Sequence, residues 1–187
     1  MKKISDKRLR LIEAANQRVY RQGFNQTSLA DVAADAQVPL GNVYHYFRTK
    51  EALGEALIHT RSNNFRALRD QWDKLPAPKD RLLAYIQMTI DASEMLAQGG
   101  CPIGSLCQEL HKQGGPLADK AAGMFTEALG WLETQFRQLG KGTESADLGV
   151  HLMSVLQGAA LLTNSFKKTG YIVNEANRMK EWVCALP

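Results

Sequence analysis

The sequence predicts an all-α fold, with a three-helix head at the amino end and a larger helical body behind it. Three observations carry this prediction. Apolar residues recur at helical spacing along almost the whole chain, and no stretch reads as a convincing strand. Proline is sparse, and the six prolines, at 39, 76, 78, 102, 116 and 187, all fall at plausible helix borders. Gly99-Gly100, Gly114-Gly115 and Gly140-Lys141-Gly142 supply the breaks between helices.

The first helix is expected to start at Ser5 or Asp6 and run to Gln22, with Leu9, Ile12, Ala15, Val19 and Tyr20 as its apolar stripe. Gly23 is its stop. Residues 27–50, TSLADVAADAQVPLGNVYHYFRTK, then read as two short helices around a tight turn. Thr27 or Ser28 caps the first of them, because a hydroxyl oxygen accepts an otherwise orphaned backbone N–H. Leu29, Val32 and Ala33 share one face, and Asp31 and Asp35 the other. Ala36-Gln37-Val38 is the turn, and Pro39 is tolerated where the next helix opens. That helix, about 40–47, buries Val43 and Phe47 and leaves Leu40, Gly41, Asn42, Tyr44, His45 and Tyr46 to share the remaining surface. A small residue near a helix start, with Asn, Tyr and His beside it, suits the major groove of DNA.

A long helix follows over about 49–75, ended by Pro76-Ala77-Pro78. Ala52, Leu53, Ala56 and Leu57 are expected to pack on the head, and Phe65, Leu68 and Trp72 on the body, which makes this helix a lever. Further helices are expected over about 79–98, 102–112, 116–139, 145–168 and 174–184. The domain reading is therefore a head over 1–50, the lever over 49–75 and a body over 76–187.

A chain of 187 residues can hold both parts around sizeable cores, and 44% hydrophobic with 22% charged residues is ordinary for a soluble protein. The placement of charge says more. Residues 1–50 carry nine Lys/Arg against four Asp/Glu, a net of +5, and the rest carry fourteen against fifteen, a net of −1. A basic head on a near-neutral body suits an anionic polymer at one end, although a solvated basic first helix gives the same count. The start lacks the apolar segment of a secretory signal, and three cysteines, at 101, 107 and 184, are too scattered for a disulfide framework, so a cytoplasmic location is expected. The apolar run 148–166 is long enough to raise a membrane span, but His151, Gln157, Thr163 and Asn164 interrupt it. It reads instead as a helix buried twice, in its own core and against another chain, with Leu156 as the central interface position.

The order Gly23-Phe24, Thr27, Leu29, Val32-Ala33, Val38, Gly41, Tyr44, Phe47 and Lys50 resembles the amino-terminal domain of the TetR (tetracycline repressor) family, over about the first quarter of the chain. Pro39 departs from the family pattern, which commonly has a small or charged polar residue there. The resemblance implies a homodimeric transcriptional repressor that binds near-palindromic double-stranded DNA and answers a small-molecule inducer, with no cofactor and no membrane. It also implies that helices near 145–168 and 174–184 pair with their mates. On this reading Asn42, and also His45, meet base edges, while Thr27, Tyr44, Tyr46 and Lys50 grip phosphates. Ser28, Leu40 and Gly41 complete the expected DNA surface.

Two further sites are expected in the body. In Gly99-Gly100-Cys101-Pro102-Ile103-Gly104, Pro102 fits a first helical turn and leaves Cys101 at the N-cap, where backbone N–H groups and the helix dipole favour a thiolate. The stretch Gly-Cys-Pro-Ile-Gly-Ser-Leu-x-x-Glu-Leu also resembles a part of the TetR family whose members include electrophile-sensing repressors with a cysteine at this point. Cys101 is thus either a sensor or a small residue fitted to a tight junction. Cys107 and His111 stand four apart, as a metal half-site requires, but Ile103, Leu106, Cys107 and Leu110 equally make an apolar stripe, and no metal is expected. Met124, Phe125, Trp131 and His151 either line a ligand pocket or are plain core. A thiol enzyme using Cys101 with His111 or His151 as base is the competing class; the absence of a phosphate loop, paired carboxylates and βα alternation weighs against it.

Overall fold

The structure is a computed structural model that describes residues 6–187, so the alternative helix start at Ser5 lies outside the described residues. It consists of α1 (Asp6–Gln22), α2 (Leu29–Asp35), α3 (Leu40–Tyr46), α4 (Lys50–Trp72), α5 (Pro78–Asp91), α6 (Ser93–Gly99), α7 (Pro102–Gln113), α8 (Pro116–Gln138), α9 (Ser145–Phe166) and α10 (Gly170–Ala185), with a 3-10 turn at Gly142–Glu144. No strand occurs among the described residues. They divide into two compact units. The first holds the residues up to Asn63 together with Ser105–Ala122, and the second holds Asn64–Gly104 with Gly123–Pro187. The stretch 105–122, read from sequence as body, therefore belongs to the same unit as the head.

In the first unit, Leu11, Ile12, Ala15 and Val19 of α1 are buried, as are Val32 and Ala33 of α2, Val43 of α3, and Leu53 and Leu57 of α4. Leu9, placed on the apolar stripe by its spacing, is instead 51% exposed. Ser28 is the cap of α2. Its hydroxyl accepts the Asp31 N–H, and the Asp31 carboxylate accepts the Ser28 N–H at 2.9 Å, which satisfies two orphan donors at once. The turn out of α2 closes with Gln37 N–H donating to the Ala34 carbonyl at 3.1 Å and Val38 N–H to that of Ala33 at 3.0 Å. Gln37 sits there at φ +53°, a left-handed position usually given to glycine, so this turn is held at the cost of local strain.

Arg18 of α1 grips Asp35 at the end of α2 with two bonds, of 2.6 and 2.7 Å. That guanidinium holds the Asp35 carboxyl below the usual range, and the Ser28 bonds do the same for Asp31. Carboxylates lowered in the folded state contribute stability above their unfolded value, near pH 4, and lose it as pH falls through the lower folded value. The head is therefore expected to melt progressively lower below about pH 4, and Asp35→Asn to flatten that acid limb, as followed by circular dichroism.

The second unit is built around Trp72, Leu82, Tyr85, Ile86, Leu132, Phe136, Leu152, Leu156 and Ile172. Trp72, Tyr85 and Trp131 pack ring against ring, with centroids 5.4–6.0 Å apart. Arg66 makes a bidentate pair with Glu127, at 2.6 and 2.9 Å, and Trp131 donates its indole N–H to Asp73 at 2.9 Å. Phe65 and Leu68 of α4 pack on this core, as the periodicity predicts.

The region expected as one helix over 79–98 is two, α5 and α6, parted at Ala92. The Thr89 hydroxyl donates back to the Ile86 carbonyl at 2.7 Å, a side-chain bond of the kind that bends helices just before the break. Likewise α10 begins at Gly170, four residues ahead of its expected start. Its early donor, the Ile172 N–H, is satisfied at 3.0 Å by the hydroxyl of Thr163 on α9. The segment Gly142–Phe166 is long and apolar enough by length and composition to cross a membrane, yet its Leu152, Met153, Leu156, Ala159, Ala160 and Thr163 are buried in the second unit. Leu156 is only 2% exposed, which corrects its placement on an interface; the outer face of α9 instead carries Val150, Leu161, Leu162 and Phe166, each 45–60% exposed.

Candidate nucleic-acid interface and thiol site

The helix α3 buries Val43, half-buries Tyr46 and turns its other residues outward. Leu40 is 40% and Tyr44 51% exposed, and Asn42 and His45 are exposed as well. Asn42 donates its backbone N–H to the Pro39 carbonyl at 2.8 Å, while its side-chain amide makes no hydrogen bond among the described residues. The His45 ring meets that of Tyr46 edge-on at 5.3 Å, and Tyr46 is half-buried. A Cβ added to Gly41 would meet nothing within 4 Å. Gly41 lies in the first turn of α3, and no described neighbour requires a glycine there. The bare surface it leaves is suited to close approach from outside.

Other expected contacts are placed differently. Thr27 is buried, and its hydroxyl donates to the Gly23 carbonyl at 2.8 Å, which takes it out of the phosphate-gripping set. The Ser28 hydroxyl serves Asp31. The Lys50 ammonium donates to the Asn25 carbonyl at 2.9 Å and lies 4.9 Å from the centre of the Phe24 ring. Lys50 is therefore a brace within the head before it is anything to DNA.

Cys101 stands immediately before α7, and its Sγ accepts the Gly104 N–H at 3.4 Å, the bond an N-cap makes to the third helical residue. The Gln157 amide of α9 donates to the same sulfur, also at 3.4 Å. Gly104 admits that amide, since a Cβ there would lie 3.0 Å from Gln157 Oε1. The sulfur is half-buried against the core, and neither His111 nor His151 is among its hydrogen-bond partners. Burial, with Cys101 nearby, pushes the Tyr85 phenol well above its usual value. Cys107 donates its thiol to the Ala121 carbonyl at 3.2 Å, and Cys184 is exposed. Met124 and Trp131 are buried and Phe125 packs on the core, but His151 is exposed and its ring faces Trp182 at 5.1 Å. His151 thus does not share a common lining with the other three.

Comparison with known proteins identifies the family. The sequence profile of the bacterial regulatory proteins of the tetR family matches residues 11–57, and that of the tetracyclin repressor-like C-terminal domain matches residues 78–168. The chain belongs to the TetR family. Among curated TetR-type relatives, it is 35% identical over 106 residues to the transcriptional regulator AcuR of Cereibacter sphaeroides, covering 54% of this chain and 47% of that one. It is 33% identical over 91 residues to the HTH-type transcriptional repressor NemR of Escherichia coli, covering 46% and 44%. The matched stretch thus spans about half the length of either relative. A TetR transcriptional regulator from Legionella pneumophila shares the fold with a TM-score of 0.85 at 19% identity, over 97% of this chain and 98% of that one. Reduced E. coli NemR does so at 0.81 and 22%, over 94% and 96%.

Two residues of this TetR-family chain escaped sequence reasoning. Gln157 reaches Cys101 across 56 positions, and Glu109 reaches the Asn25 N–H across 84. No local spacing announces either, because each is defined by its distant partner.

Proposed function

We propose that this chain is a DNA-binding transcriptional repressor that acts as a homodimer and leaves its operator when an electrophile or other small-molecule signal reaches Cys101. The observation that supports this most is the outward face of α3, where Asn42 offers an unbonded amide beside the bare surface of Gly41. An asparagine amide pairs with an adenine edge through two hydrogen bonds. The basic head supports the same reading, since phosphate attraction supplies non-specific affinity. The exposed apolar face of α9 favours a second copy as its cover, and Ser154 and Gly158, both exposed between Val150 and Leu161, leave room for close helix approach. The resulting two-fold axis would place two copies of α3 on half-sites about 34–36 Å apart.

Selection of duplexes from a random library by the wild-type chain tests the DNA reading; no enrichment would remove it. With the enriched duplex in hand, Asn42→Ala is expected to weaken binding by about 1–3 kcal/mol while binding to random duplex stays nearly unchanged. Equal losses on both would take Asn42 out of base reading and leave it a positioning contact.

A further inference from the structure

Glu109 of α7 touches the head at the one turn that fixes where α2 begins. Its carboxylate accepts the Asn25 N–H at 3.0 Å. It fits there because Gly23 has no side chain: a Cβ on Gly23 would stand 2.7 and 2.9 Å from the two carboxylate oxygens. Gly23 also holds φ +89°, which a side chain rarely tolerates, so both its space and its conformation are matched to this contact. The carbonyl of the same Asn25 is taken by Lys50, at 2.9 Å. One residue is thereby held at its N–H by α7 and at its carbonyl by the first residue of α4. Two positions on, the Thr27 hydroxyl closes back on the Gly23 carbonyl, and Ser28 then caps α2, whose other end turns into α3. Around the contact, Phe24 and Leu117 each come within 3.0 Å of where a Gly54 Cβ would lie, and Lys120 pairs with Glu55 at 2.5 Å.

We infer that Glu109 is a positioning residue for DNA binding: by holding the Asn25 N–H beside Gly23, it fixes the turn 23–28 and so sets the attitude of α2 and α3. The inference rests on the DNA-binding reading of α3. It does not place Glu109 on the DNA. A carboxylate accepting a backbone N–H is among the stronger hydrogen bonds, and losing it frees the turn that orients the helix pair.

The test uses the full chain with two duplexes, one enriched by the wild type from a random library and one of random sequence. Glu109→Met keeps the bulk without an acceptor oxygen, whereas Glu109→Gln keeps an oxygen in place. Glu109→Met is expected to lose about tenfold or more on the enriched duplex and little on the random one, with its helical circular dichroism retained. Glu109→Gln is expected to stay within about twofold of wild type, which a requirement for the charge would not produce. The loss in Glu109→Met is likewise one that a requirement for bulk would not produce. Undiminished binding of the enriched duplex by Glu109→Met overturns the positioning role. So does a parallel loss in both variants. A wild type that enriches no duplex overturns the DNA-binding reading beneath it, which is a separate and recognisable result.

Discussion

Leu156→Glu is expected to unfold the chain, whereas Leu161→Glu is expected to leave it folded and monomeric. The two residues lie on one helix and differ in which way they face. Leu156 is 2% exposed in the core that it shares with Leu152, Ile172 and Phe136, so a carboxylate there would be buried among hydrocarbon with no partner. Leaving a buried charge uncompensated costs about 3–5 kcal/mol, a large share of the roughly 5–15 kcal/mol that holds a domain together. Leu161 is 60% exposed on the outer face with Val150, Leu162 and Phe166, and a charge there costs a single chain almost nothing. Against a second copy the same charge would be repeated across the two-fold axis and desolvated twice. Circular dichroism should separate the variants first, by loss of helix in Leu156→Glu alone. Sedimentation should then find Leu161→Glu at the mass of one chain. A folded Leu161→Glu protein that sediments as a dimer would move the interface off this face of α9.

How far the sequence reaches is clear from which contacts are local. The cap of α2, the stop at Gly23 and the outward set of α3 are decided within a few residues by turn chemistry and helical period. Sequence reading finds the stop, narrows the cap to Thr27 or Ser28, and finds the outward set except for the half-buried Tyr46. The break at Ala92 carries neither glycine nor proline, so nothing in composition marks it. The early start of α10 depends on a Thr163 hydroxyl supplied from the preceding helix. An apolar period also states that a face is covered without stating by what, so the period that marks α9 as buried twice does not tell that Leu156 faces its own core and not a second chain. Thr27 shows the converse. Its place in the motif is legible, but its hydroxyl turns inward to Gly23, a fact of the turn and not of the motif.

Alkylation of Cys101 is expected to release the enriched duplex, and Cys101→Ser to stay bound under the same treatment. The sulfur accepts two donors, the Gly104 N–H and the Gln157 amide, each at 3.4 Å. The sulfur is half-buried, and an adduct meets the groups already bonded to it, the Gly104 N–H at the start of α7 and the Gln157 amide. Carbon added to the sulfur must expel the amide or lift the first turn of α7. That same helix carries Glu109, whose hold on Asn25 depends on where α7 lies. Exposure alone would send the reagent first to Cys184, so labelling order and release must be read separately. Peptide mass spectrometry at limiting reagent gives the occupancy of each thiol, and release of DNA should follow the occupancy of Cys101 in wild type and in Cys184→Ser alike. Release from alkylated Cys101→Ser would show that the signal does not pass through this sulfur, leaving a ligand held without a covalent bond as the better account. Retention of DNA by wild type with Cys101 fully alkylated would make the residue what its tight junction also suits, a small side chain at the start of a helix.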